Sequence, residues 1–165
     1  MKKSCWNTWI AKEDEISDEV MEQVLCATAM GQATMYQGDG DHIITCIPTE
    51  TVEQFRRRTK SSVFLLKTKK SKMSTVLMGC AILSRRGCKK GTIYLHDLYV
   101  RPKYRRKGVA TGIVLTGGLE ARKLGLKLRL GVNPKNDWAM ALYAKLGMKP
   151  CAGQKIDMEW PERVK

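Results

Sequence analysis

Arg105-Arg106-Lys107-Gly108-Val109-Ala110 follows the apolar run Thr92-Ile93-Tyr94-Leu95-His96-Asp97-Leu98-Tyr99-Val100 and precedes a helical pattern from Thr111 to Leu124. A basic, glycine-bearing turn therefore joins a strand to the start of a helix. Helix N-termini carry unpaired backbone N–H groups and a partial positive charge. A glycine there lets the backbone approach a ligand closely, and successive N–H groups can cup a phosphate. The segment reads as an anion cradle, of a size and charge suited to a pyrophosphate.

The spacing carries the reading further. Arg105-x-x-Gly108-x-Ala110 resembles the acyl-CoA signature of the GCN5-related N-acetyltransferases (GNAT). Tyr94-Leu95-His96-Asp97-Leu98-Tyr99-Val100-Arg101-Pro102-x-Tyr104-Arg105 is similar to the fourth strand of that family and the turn after it. Asn136-x-x-Ala139-x-x-Leu142-Tyr143-x-Lys145-Leu146-Gly147-Met148 is similar to its last helix and the approach to the next strand. The three pieces occur in the family's order over residues 92–148, while residues 1–60 carry no recognisable motif.

The resemblance implies the GNAT fold, a mixed and mostly antiparallel sheet flanked by helices, and direct acetyl transfer from acetyl-CoA to an amine. It implies a cofactor site made of Arg105, Arg106, Lys107, Gly108, Val109, Ala110 and Thr111 at the cradle. The backbone of Leu98, Tyr99 and Val100, freed by a bulge that splays the fourth strand from the fifth, serves the oxyanion and the pantetheine arm. Tyr143 matches the family's general acid, which gives a proton to the departing thiolate; by periodicity alone it is a core aromatic beside Leu142 and Leu146. Asn136 is either a contact to the pantetheine arm or a hydrogen bond in the first helical turn.

The acceptor amine must lose a proton before it attacks. Tyr94-Leu95-His96-Asp97 resembles Tyr-Leu-Glu-Asp of the polyamine branch, in which the glutamate is the base. His96 stands at that position and titrates near neutrality, so it is a candidate base, directly or through a water. A structural histidine, or deprotonation by bulk water, is the alternative. Strand alternation places His96 and Asp97 on opposite faces.

Composition narrows the partners. The chain of 165 residues is read as a single domain, residues 1–165, with no span of the ~18 apolar residues that a bilayer requires and no secretory leader. A membrane is excluded as a partner and a cytoplasmic location is expected. Six cysteines lie scattered without a CxxC pair, which argues against a disulfide framework or zinc site. Gly38-Asp39-Gly40-Asp41-His42 lacks calcium-loop spacing and reads as a turn, so no metal is expected.

The net charge of +14 is uneven. Residues 1–54 hold three Lys+Arg against ten Asp+Glu, a balance of −7, and residues 55–165 hold 27 against six, a balance of +21. An acidic acceptor groove would take a cationic small amine such as a polyamine, or a protein amine. The basic remainder suits a contact with RNA, as in the aminoacyl-tRNA-acetylating toxin branch, or a non-catalytic CoA- or nucleic-acid-binding module of the same fold. Homodimers are common in the family.

Pattern and punctuation give a strand over Cys5–Ala11 and a helix capped by Ser17 or Asp18. A second helix begins at Thr49 and ends near Thr59. Strands follow over Ser62–Thr68, Thr75–Arg85 and from Thr92, with Gly87 in the hairpin turn. After the cradle and its helix come a strand over Leu126–Val132, a helix over Lys135–Leu146 and a last strand over Gln154–Trp160. Gly112, Gly117 and Gly118 weaken the helix after the cradle, and close packing on the sheet is the expected reason.

Overall fold

A computed structural model describes residues 8–37, 48–70, 74–151 and 156–160. The cluster Gly38–His42 lies outside the described residues. Seven strands form one sheet in the order β1-β2-β3-β4-β5-β7-β6. They are β1 (Thr8–Lys12), β2 (Val63–Lys70), β3 (Thr75–Ser84), β4 (Thr92–Val100), β5 (Lys127–Val132), β6 (Lys149–Pro150) and β7 (Ile156–Glu159). Four helices accompany them: α1 (Asp18–Gln37), α2 (Val52–Thr59), α3 (Val109–Lys123) and α4 (Asp137–Lys145). All strand pairs are antiparallel except β4–β5. A parallel pair needs a crossover, and α3 supplies it.

Two buried clusters lie on the two faces of the sheet. Leu65, Leu83, Leu95, Leu128 and Leu130 pack with Ile113 and Val114 of α3 and Tyr143 of α4. Phe64, Leu66, Cys80 and Ile82 pack with Met21 and Val24 of α1 and Phe55 of α2. Strand alternation produces this division, since Leu65 and Phe64 are neighbours in sequence and point to opposite faces.

Local chemistry sets the element ends. The second helix is capped by Thr51 rather than Thr49. The Thr51 hydroxyl accepts from the Gln54 N–H at 3.2 Å, and the Gln54 side chain accepts from the Thr51 N–H at 2.8 Å. This is a capping box with glutamine at the third position, a weaker sequence signal than the acidic residue that follows Thr49. The two-residue β6 is too short to carry a strand pattern. The crowding expected at the α3 glycines is present: a Cβ on Gly118 would sit 2.5 Å from the Trp160 ring, and one on Gly117 would sit 3.1 Å from both Leu65 and Leu95.

The charge split has a local explanation. Arg56 pairs with Glu13 and Asp18, Arg57 with Glu53, and Arg58 with Glu50. Three arginines just past residue 54 thus pair with four of the ten acids before it, so part of the acidic third is one side of an ion-pair network. The basic runs are also divided. Lys69 and Lys70 lie where β2 meets the start of β3, whereas Arg85, Arg86, Lys89 and Lys90 lie beyond its end. Ten residues of strand separate them, about 30 Å, so they do not make one patch.

Lys67 of β2 is 9% exposed, and no carboxylate pairs with it among the described residues. Its ammonium lies against α3, 2.6 Å from where a Cβ on Gly112 would be. Burial lowers its pKa from the ordinary 10.5. The unfolded chain then binds the proton more tightly, so stability rises with pH between the lowered folded value and 10.5. Lys67→Met is expected to raise Tm by a few degrees at pH 7 and to flatten that rise. Thermal melts of both proteins at pH 7 and pH 10 check it, and a lower Tm for the variant at pH 7 would show that the ammonium has a stabilising partner.

Candidate active site

The cradle takes the backbone form that its sequence demands. Gly108 is the N-cap of α3 with φ 74° and ψ 9°, a left-handed conformation natural to glycine. No side chain caps this helix, and no atom lies within 4 Å of where a Gly108 Cβ would be. The amides of the first turn therefore have no side-chain cap. Arg106, with φ 60°, shares the left-handed region. The helix starts at Val109, two residues earlier than the hydrophobic pattern indicates, which brings Val109, Ala110 and Thr111 into that first turn.

The cations around the cradle are arranged individually. Arg105 donates from Nε to the Val100 carbonyl at 3.2 Å. Lys107 donates to the Lys103 carbonyl at 2.9 Å, and both lysines sit over the Tyr104 ring. Arg106 crosses to α4, where its guanidinium lies 4.3 Å from the centre of the Trp138 ring.

The sheet opens beside the cradle. β4 and β5 pair from Thr92–Lys127 to Leu95–Leu130 and no further, although both strands continue. A bulge lies where pairing stops: Ile82 faces His96 and Cys80 faces Tyr99, so Asp97 and Leu98 together oppose Ala81. Asp97 adopts φ 52°. The extra residue bends β4 away and leaves the β5-side edge of Leu98, Tyr99 and Val100 without a strand partner. It also sets the side chains. Leu98 and Val100 pack toward α3, and Tyr99 is buried toward α1 with its hydroxyl 3.6 Å from the Met30 sulfur.

The bulge changes one expectation from alternation. Asp97, with Leu98, opposes the single residue Ala81, so simple alternation no longer fixes its face, and its charge acts on His96, Cys80 and Arg58. His96 is half-buried, opposite Ile82, and packed against Tyr94 with ring centres 4.8 Å apart and the planes tilted by 36°. Burial lowers its pKa below 6.5, with Asp97 opposing the shift. The imidazole is therefore neutral at pH 7 and able to accept a proton.

Tyr143 lies on the other face, 5% exposed within the α3/α4 cluster. Its hydroxyl has no hydrogen-bond partner among the described residues, and burial pushes its pKa up to about 12. Asn136 caps α4, with its Oδ1 accepting from the Ala139 N–H at 3.0 Å. Of the two roles expected for Asn136, the hydrogen bond in the first turn is the one formed; its side-chain NH2 stays available.

A cavity of about 390 Å³ lies between α1 and the end of β4, lined by Gln23, Cys26, Met30, Tyr99 and Arg101 among others. No carboxylate among the described residues lines it, and the Gln23 amide is engaged by Thr75, Leu77 and Arg101. Among the described residues no helix is long and apolar enough to cross a membrane.

A sequence profile of the Acetyltransferase (GNAT) family matches residues 33–148, more than two thirds of the chain. This chain belongs to that family. It is an acyl-CoA-dependent N-acetyltransferase. No curated protein matches its sequence. Many solved structures share the fold of this acetyltransferase. It is similar to PaiA N-acetyltransferase of Thermoplasma acidophilum in complex with coenzyme A, at 22% identity over 93% of this chain and 98% of that one, with a TM-score of 0.60. The ribosomal-protein-S18-alanine N-acetyltransferase of Escherichia coli is 18% identical over 96% of both chains, with a TM-score of 0.62. YncA of Salmonella typhimurium, solved with acetyl-CoA, is 15% identical over 96% of this chain and 97% of that one, with a TM-score of 0.61.

Proposed function

We infer that this acetyltransferase moves an acetyl group from acetyl-CoA to a primary amine, with the amine arriving on the α1/α2 face and the thiol leaving on the α3/α4 face. The observation that carries the reading is the opening between β4 and β5. It starts just beyond Leu95–Leu130, where His96 lies opposite Ile82, and Tyr143 belongs to the cluster on the other face of the sheet. The uncapped first turn of α3, with open space at Gly108, fits the pyrophosphate of the co-substrate. When bound, acetyl-CoA supplies an activated thioester carbonyl.

The residues of the chain then divide the proton work. His96, neutral at pH 7, accepts a proton from the incoming ammonium, directly or through one water. The unpaired edge of Leu98–Val100 offers a backbone N–H to the carbonyl oxygen as negative charge builds there. Tyr143 Oη donates to the departing sulfur. A phenol with a pKa of about 12 is a weak acid, but the same burial raises the thiol's pKa and narrows the gap.

The ion-pairing of the acidic third weakens the case for a polycationic acceptor, and the division of the basic runs weakens the case for RNA. A single primary amine, on a small molecule or a protein, is the acceptor class that the site supports best.

The pH profile tests the base. Because the His96 pKa is lowered, the rate should be flat around pH 7 and fall on an acid limb centred below 6.5. His96→Gln should lower the rate at pH 7 by ~10²-fold or more and remove that limb. Thiol release from acetyl-CoA over a panel of amines and N-terminal peptides provides the assay. An unchanged limb in the variant would assign deprotonation to water or to the amine itself.

A further inference from the structure

Trp138 is the most exposed large apolar side chain among the described residues, 66% exposed at the start of α4. The guanidinium of Arg106 covers its ring, at 4.3 Å from the centre. Arg106 lies two residues before the glycine of the cradle, and its neighbours Arg105 and Lys107 are bound to carbonyls of their own segment. Arg106 therefore joins the loop after β4 to the helix after β5. An exposed indole held flat by a cation, beside a phosphate cradle, presents the surface on which a nucleobase stacks. Adenine is separated from the pyrophosphate by one ribose, a short reach from Gly108 across Arg106 to α4.

We propose that the adenine of the acyl-CoA stacks on the Trp138 face that Arg106 covers in the free protein, and that Arg106, once displaced, turns to a phosphate of the same nucleotide. The loop and α4 are then joined through the co-substrate instead of through the cation–indole contact. This rests on the acyl-CoA reading of the cradle and assigns the nucleotide end of that site.

The test is a titration by tryptophan fluorescence and calorimetry, with CoA and with 4′-phosphopantetheine, which lacks the 3′-phosphoadenosine and the second phosphate of the pyrophosphate. CoA should quench wild-type fluorescence, and phosphopantetheine should not. Trp138→Ala removes an exposed side chain and leaves the fold intact; it should abolish the quench and weaken CoA about tenfold with little change for phosphopantetheine. Trp138→Phe should abolish the quench yet keep most of the affinity, because it still offers a ring. Arg106→Ala should retain the quench and need more CoA to reach it. A wild type that binds CoA with an affinity indifferent to Trp138→Ala overturns this proposal alone. A wild type that binds neither probe overturns it together with the reading on which it rests.

Discussion

Tyr143→Phe is expected to lower kcat by ~10²–10⁴-fold while leaving the affinity for acetyl-CoA near that of the wild type. The phenol has no partner among the described residues, so removing its oxygen breaks no hydrogen bond and Tm should hold or rise slightly. The raised pKa also shapes the pH behaviour. Tyr143 stays protonated until about pH 12, so kcat should show no basic limb from this residue between pH 8 and 10. The unfolded chain ionises its tyrosine first, at about 10, and the fold therefore loses stability as pH rises beyond that value. Single-turnover measurement with a saturating amine isolates the chemical step. Equal rates for the two proteins there would make Tyr143 a packing residue only.

Gly108→Asp should weaken acetyl-CoA binding by roughly two to three orders of magnitude. A carboxylate about 4 Å from a phosphate is repelled by about 4 kcal/mol at the effective dielectric of a protein surface. The substitution is unusually informative because it should not unfold the protein. Aspartate tolerates the left-handed region better than most residues, so the strain at φ 74° is modest, and beyond the neighbouring residues no atom stands within 4 Å of the new Cβ. Arg58→Ala is the control: that arginine pairs with Glu50 over the Phe55 ring. Calorimetric titration with acetyl-CoA should separate the two variants widely. Near-wild-type affinity in folded Gly108→Asp would remove the cradle from the site.

The sequence exposes those features of this acetyltransferase that depend on local chemistry. Gly108 is legible because a strand, a basic turn and a helix start must meet around a left-handed residue. The strands from Val63 to Val100 are legible because β-branched and apolar runs alternate with turn residues. What is hidden depends on contacts between distant segments. Arg56 carries no local sign of its partners, Glu13 and Asp18, which only the fold brings to it. Lys67 reads as a surface lysine until α3 covers it. Trp138 gives no periodic signal, being one exposed aromatic on a helix; its meaning comes from Arg106, 32 positions before it in the chain. Even the faces of His96 and Asp97 follow a rule that holds only for an unbroken strand.

That break is the extra residue at Asp97, and it acts by counting rather than by chemistry. Remove one residue from Asp97–Leu98 and β4 becomes regular. Tyr99 would stay opposite Cys80 on the His96 face by plain alternation, and the edge of β4 would regain the register to zip onto β5 along its whole length. The same composition, one residue shorter, would make a continuous sheet with no passage through it. Chain length at this position, more than side-chain identity, is what divides a closed wall from a doorway. Deletion there is the change against which no substitution elsewhere in the site can compensate.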